Sequence, residues 1–423
     1  MKTRTLALLV LSIILFSSSY SWTLTLDDSL KVQMQELKDR LDGVSENMAT
    51  LTSDVSILKW VKISGYLQAR YEYNDSSKNG IVGGNDVSKN LNANNFYIRR
   101  GRIKFSVQPG TSSKYVIYFD ASKNTISMKE AYVELYKTVQ AHNFTLTFGQ
   151  FNWPFGYEIE YSSSKRDFPE RSVAENSLFP GERDRGVNFT WALPRYLQFN
   201  VGAFQGYGIQ NSNFSWVDPT KPKDVIARAK AKLGMVDFGV SGYWGKNYIP
   251  GSAAVGGSTL WYDSNGSGVI DPGETKTSAP KSAVPAVEKD KIRYGADAQV
   301  YLDFMPLGGT GIRGELYSAK DFNKMAKDSL AKEMGWYLWL SQNIYTKFGA
   351  AARYDYWDPN TDSDVKNDAT GTLSLAFHYF WDSNVRITAA YDIPHKLKDN
   401  SIFSKYSGDI KDNRFTLQFQ FMF

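Results

Sequence analysis

Basic residues recur at every second position in two stretches of this chain, Arg100, Arg102 and Lys104 in one and Arg228, Lys230 and Lys232 in the other. Successive side chains of an extended segment point to opposite faces, so each triplet shares a face. The intervening Gly101, Ile103, Phe105 and Val107, or Ala227, Ala229, Ala231 and Leu233, take the other face. The basic face must meet water. Spaced cations offer a hydrated anion successive weak partners, which is what conduction requires: attraction enough to enter and weakness enough to leave. Arg293, Arg313, Arg353 and Arg386 fall singly on the same phase. The competing reading pairs these cations with acids of the same faces, Glu72, Asp120, Glu130, Glu134, Asp297, Glu315 and Asp355, as wall-stiffening ion pairs. Arginine serves either purpose, because its fork binds carboxylate and phosphate alike.

A second constellation, Asp263-Ser-Asn-Gly-Ser-Gly-Val-Ile-Asp-Pro-Gly-Glu274, reads as a calcium loop. Asp263, Asn265 and Ser267 occupy its first, third and fifth positions, Gly268 allows the sharp turn, Val269 offers a carbonyl, Asp271 stands ninth and Glu274 supplies the bidentate twelfth ligand. It departs from the pattern at Ser267 and in its Gly-, Ser- and Thr-rich flanks, where paired helices are usual. The alternative is a plain Asp-, Gly- and Ser-rich loop.

Catalytic chemistry has little to work with. The chain has no Cys and three His (His142, His378 and His395), none beside a motif that would activate a Ser nucleophile. The reading is of a non-enzyme with no cofactor for transport beyond calcium in the 263–274 loop. A net charge of +5, with acids interspersed among the Lys and Arg, gives no basis for nucleic-acid binding.

The elements that must position the basic rows follow from periodicity. Lys2 and Arg4, the apolar run from Leu6 to Phe16 and the small residues ending at Ser21 predict a secretory signal over 1–21. Residues 22–59 carry Leu30, Met34, Leu37, Leu41, Val44, Met48, Leu51, Val55 and Leu58 in a four-three alternation, which predicts a periplasmic coiled-coil helix. From residue 60 to 423 the period becomes two, through sixteen candidate strands. Short turns alternate with long connections, the pattern of a transmembrane antiparallel β-barrel with turns at one rim and loops at the other. Lys or Arg on lipid would cost about 2–4 kcal/mol at the midplane, so the basic rows belong inside. The last strand places Phe415, Leu417, Phe419, Phe421 and Phe423 on one face, and its terminal Phe resembles the assembly signal of bacterial outer-membrane proteins.

Several stretches resemble the phosphate-selective porin O and P family of Gram-negative bacteria. They are Phe96-Tyr-Ile-Arg-Arg-Gly-Arg-Ile-Lys-Phe105, Lys129-Glu-Ala-Tyr-Val-Glu-Leu135, Phe148-Gly-Gln-Phe-Asn-Trp-Pro-Phe-Gly156, Ser164-Lys-Arg-Asp167, Pro169-Glu-Arg-Ser172, and Leu178-Phe-Pro-Gly181 followed by Arg185-Gly-Val187. The resemblance implies a sixteen-stranded trimeric barrel in outer-membrane lipid that passes anions or other small hydrophilic solutes, without implying phosphate preference for every member.

On that frame the segment 152–185 is the third outer loop, expected to fold inward and narrow the bore. Its five cations, Lys165, Arg166, Arg171, Arg183 and Arg185, face seven acids, a net of −2, so it is not a simple anion collar. Selectivity is then expected mainly from the Arg100 and Arg228 rows. The other expectation is a structural barrel, tied through the coiled coil to the cell wall or another periplasmic partner. For the 263–274 loop, calcium titration of the intact protein should show binding in the roughly millimolar range. Glu274→Gln should abolish it; binding that survives the substitution would mean the resemblance is accidental.

Overall fold

The computed structural model describes residues 28–74, 94–122, 125–209, 218–270, 272–273, 275–322, 330–361, 369–397, 406–409 and 413–423. Residues 1–21, expected to be a secretory signal, lie outside them. The chain divides after Lys59 into two units. Among its described residues the first contains one helix, α1 (Asp28–Leu58). Its apolar stripe is bare: Met34, Leu37, Leu41, Val44, Met48 and Leu51 are each 57–68% exposed.

The second unit is a closed antiparallel barrel. Its strands are β1 (Val61–Asn74), β2 (Asn94–Val107), β3 (Ser113–Ser122), β4 (Thr125–Val139), β5 (His142–Asn152), β6 (Arg183–Leu193), β7 (Leu197–Phe204), β8 (Asp224–Leu233) and β9 (Val236–Ile249). After a small hairpin, β10 (Ser258–Trp261) and β11 (Thr275–Ser278), the wall continues with β12 (Val287–Leu302), β13 (Thr310–Phe322), β14 (Leu330–Ile344), β15 (Phe348–Asp358), β16 (Thr370–Phe380) and β17 (Val385–Leu397). A four-residue β18 (Tyr406–Asp409) borders β17, and β19 (Arg414–Met422) completes the ring. Without the β10–β11 pair and β18, the wall has the sixteen strands that periodicity predicts. Closure comes from β19 lying against β1, from Tyr66 opposite Met422 to Asn74 opposite Arg414. Phe423 and Gly65 exchange backbone hydrogen bonds of 3.0 and 3.1 Å at the seam.

Burial is inverted relative to a water-soluble sheet. In β19, Thr416 and Gln420 are 0% and 1% exposed while Phe419 and Phe421 are 50% and 46% exposed. Polar side chains line the inside and apolar ones the outside, as a lipid-facing wall around a hydrated lumen demands. Short turns such as 194–196, 234–235 and 345–347 gather at one rim, some with left-handed residues, among them Arg195 at φ 74° and Gly234 at φ 62°. The strand ends that the longer stretches of sequence join lie at the other rim, as do the facing ends of β3 and β4.

Candidate functional site

Between β5 and β6 the chain turns into the barrel. Gly156 makes the turn at φ 60°, where a Cβ would sit 1.8 Å from Oε1 of Glu315, so no larger residue fits without displacing that carboxylate. Glu315 accepts from the backbone amides of Tyr157 at 3.0 Å and Glu158 at 3.1 Å. Two short helices follow, α2 (Tyr157–Glu160) and α3 (Val173–Leu178). Ser172 caps α3, and its hydroxyl donates to Glu158 at 2.6 Å.

Apolar packing fixes one side of this loop to the wall. Phe155, Ile159 and Phe179 are fully buried and pack with Tyr243 of β9, Tyr317 of β13 and Trp339 of β14. Burying each such side chain contributes about 1.5–3 kcal/mol. The loop's tip reaches the opposite wall. Tyr66 and Ser163 share a hydrogen bond, Gln68 donates to the Ser163 carbonyl at 3.1 Å, Gln420 to that of Ser164 at 2.7 Å, and Arg386 to that of Arg166 at 2.8 Å. The segment therefore crosses the lumen.

Beside the tip, one carboxylate faces three guanidinium groups. Glu170 lies 2.6 Å from Arg70, 2.7 Å from Arg99 and 3.2 Å from Arg100. Arg166 is 3% exposed nearby, and its Nε and Nη1 find no partner among the described residues. Period-two reasoning places Arg99 on the lipid side. The register shows why it is not there: Gln68 opposes Arg100 and Ala69 opposes Ile98, so Arg99 is the extra residue of a β-bulge and turns inward with its neighbour. A second bulge lies between β3 and β4, where Tyr118 opposes Glu130 and Phe119 opposes Met128. It leaves Lys129 as the extra residue, close enough to Arg102, Arg183 and Asp120 for their charges to act on it. Neither cation belongs to the rows read from the sequence. A signal was present in the adjacent Arg-Arg and Lys-Glu pairs, but a bulge is set by the partner strand.

The expected rows are mostly paired. Arg102 meets Asp120 at 2.8 Å, and Lys104 and Arg183 share Glu130, each at 2.9 Å. Arg228 holds Asp297 at 3.0 Å, the Gly156 carbonyl, and Glu160 at 3.2 Å; Lys230 holds the same Glu160 at 2.5 Å. Lys232 stands 3.8 Å from Asp237 and is largely in solvent. Arg293 lies over the rings of Phe179 and Tyr243, Arg313 meets Asp167 at 3.2 Å, and Arg353 meets Asp355 at 2.9 Å. Among the loop cations, Lys165 is exposed, Arg171 pairs with Glu175 and Glu182, and Arg185 donates to Gln205 at 3.1 Å.

In the calcium motif, Asp263 accepts from the amides of Gly266 at 2.6 Å, Ser267 at 3.0 Å and Gly268 at 2.8 Å. The Gly268 amide leads the bonds that hold this exposed carboxyl below its usual range. Asn265 accepts from the Ser267 amide, and Ser267 donates to the Val269 carbonyl. Asp271 and Glu274 lie outside the described residues, so the ligand set is not seen whole.

The family model described as phosphate-selective porin O and P matches residues 67–423. No curated protein matches the sequence. Among solved structures, the outer membrane channel DcaP of Acinetobacter baumannii is similar at a TM-score of 0.54 and 12% identity, covering 86% of this chain and 97% of its own. The anion-selective porin from Comamonas acidovorans is similar at 0.53 and 10%, covering 86% and 99%. The trimer form of OmpT of Vibrio cholerae gives 0.52 and 13%, covering 86% and 99%. At such identities the likeness to these structures is one of fold.

The charge state of Glu170 gives the site a testable pH profile. Burial opposes its ionisation, but Arg99, Arg100 and Arg70 outweigh burial and hold the carboxyl well below its ordinary range. A depressed folded-state value means that the tie is complete above the unfolded value of about 4.3 and is lost only as pH falls through the lower one. The difference in open-channel noise between the parent and Glu170→Gln, which isolates this tie from the other lumenal carboxyls, should therefore stay constant from pH 7 down to about 4.3. Glu170→Gln, which strands three cations on one amide, should raise the noise already at pH 7. A difference that vanishes around the ordinary glutamate value, or a silent Glu170→Gln, would contradict this account.

Proposed function

The chain belongs to the phosphate-selective porin O and P family, and on that premise we propose that this outer-membrane channel passes small anions in preference to cations. The observation that carries the proposal is the excess of positive charge where the inward loop meets β1 and β2. Arg70, Arg99 and Arg100 share the single carboxylate of Glu170, and Arg166 lies beside them. Several other wall cations, among them Arg102, Lys104, Arg228 and Arg353, are each matched by a carboxylate, so we assign the sign of the field to this station. A narrow passage between low-dielectric walls focuses that field and raises the local concentration of anions. Arg70, Arg100 and Arg166 are buried and act on a passing anion through their field, whereas Arg99, whose side chain is 23% exposed and shared with Glu170, is open to a contact weak enough to release. The favoured reading is a general porin with anion bias rather than a dedicated phosphate channel.

The second reading, a barrel with a mainly structural task, draws on the same loop, because it is packed against the wall on one side and its tip is bonded to β1, β17 and β19 on the other. Reversal potential across a salt gradient separates the two. The anion reading expects a potential on the anion side that moves toward zero in Arg99→Gln/Arg100→Gln. A cation-selective parent would overturn it, and a parent without conductance would favour the structural barrel.

We also infer that the cleaved signal delivers α1 to the periplasm, and that the bare stripe from Met34 to Leu51 is covered by the same stripe of two further copies. The trimer form recorded for OmpT of Vibrio cholerae agrees with that stoichiometry. Leu37→Glu/Leu41→Glu in the full chain should lower the temperature at which trimers dissociate on a semi-native gel. An unchanged dissociation temperature would remove the coiled coil from the assembly.

A further inference from the structure

The inward loop also carries chemistry that the anion reading leaves unused. Tyr157 and Tyr161 stack with ring centroids 5.1 Å apart and an interplanar angle of 24°. Both rings are only partly buried. The Tyr157 hydroxyl lies 3.4 Å from that of Tyr301, on the lumenal face of β12, which is 38% exposed. Three aromatic side chains thus converge inside the barrel, at the edge of the buried apolar patch that holds the loop to the wall, and keep part of their rings open. Lipid does not explain them, because they stand on the water side. Arg313 lies 5.7 Å from the Tyr161 ring and 5.5 Å from the Tyr301 ring, so the strip already accommodates a flat cationic group at one end.

At its other end the strip borders positive charge. A cavity of about 430 Å³ opens beside Tyr157 and Tyr161 and is lined further by Glu160, Lys230, Gln198 and Gln299. Four cations, Arg195, Arg228, Lys230 and Lys232, border it against three carboxylates, Glu160, Asp237 and Asp297; Glu160 lies 2.5 Å from Lys230 and 3.2 Å from Arg228, and the Lys230 side chain is 29% exposed. Ring faces, an accessible ammonium and amide groups therefore border one space on the short-turn side of the loop. We propose that this vestibule is a binding subsite for aromatic carboxylates, with the carboxylate at Lys230 and the ring against the tyrosine strip. An aliphatic carboxylate of the same charge meets the lysine but lacks the ring contact.

The inference rests on the channel admitting anions. It is tested by block of chloride current with benzoate and with acetate at neutral pH, where both carry one negative charge. Benzoate should block more tightly than acetate by about two- to tenfold, the factor that one aromatic pair supplies. The benzoate-to-acetate ratio should fall toward one in Tyr157→Leu and in Tyr161→Leu, whose rings line the cavity. Tyr157→Phe keeps the ring and should keep the ratio, which separates the ring contact from the hydroxyl bond to Tyr301 that braces the loop. Equal block by the two acids in an anion-selective parent, or a benzoate preference that survives both leucine variants, would overturn the subsite alone. A cation-selective parent would instead overturn the anion reading beneath it.

Discussion

A sheet that faces lipid has no water to satisfy its backbone, so every N–H and C=O in the bilayer needs a partner within the sheet. The pairing of β1 with β19 meets that demand and leaves no edge. Much of the rest depends on it. Closure gives the wall an inside, and only with an inside do Gln68, Arg70, Arg100, Gln418 and Gln420 become both buried and solvated by one another. Their bonds run across the seam, so the start and the end of the barrel are held by side chains as well as by backbone.

The lumen then faces an electrostatic constraint. Charges removed from water need partners, and a buried charge without one is costly. Most of the wall obeys by pairing: Arg102 with Asp120, Arg353 with Asp355, Arg414 with Asp392 at 2.8 Å. Such pairs stiffen the wall and cancel in the field. The neighbourhood of Glu170 departs from that rule, with three arginines sharing one acid, and the departure coincides with the narrowing made by the inward loop. Its net −2 of formal charge is absorbed in the same way, since Glu158, Glu170 and Glu182 all lie against arginines.

Departures from regular geometry occur in this same sector. The bulges at Arg99 and Lys129 lie in neighbouring strand pairs, and each adds a cation to the inner face. A bulge kinks the strand and re-aims a side chain, which is how a position outside the alternation reaches the lumen.

The sequence by itself determined the strand set and its inside and outside, because a period of two along a lipid-exposed wall is a local property of each segment. It also determined the polar and aromatic faces of β19 and the rows at Arg100 and Arg228. Only the tertiary structure decided that most of those cations are paired, that Arg99 and Lys129 join them, and that Glu170 meets arginines of β1 and β2 some 70 to 100 residues away. The reason is physical: alternation follows from the chain's own pleat, whereas a bulge depends on the register of a partner strand and an ion pair on the path of a loop through space. The exposed stripe of α1 lies between the two, since its spacing is local and what covers it is not.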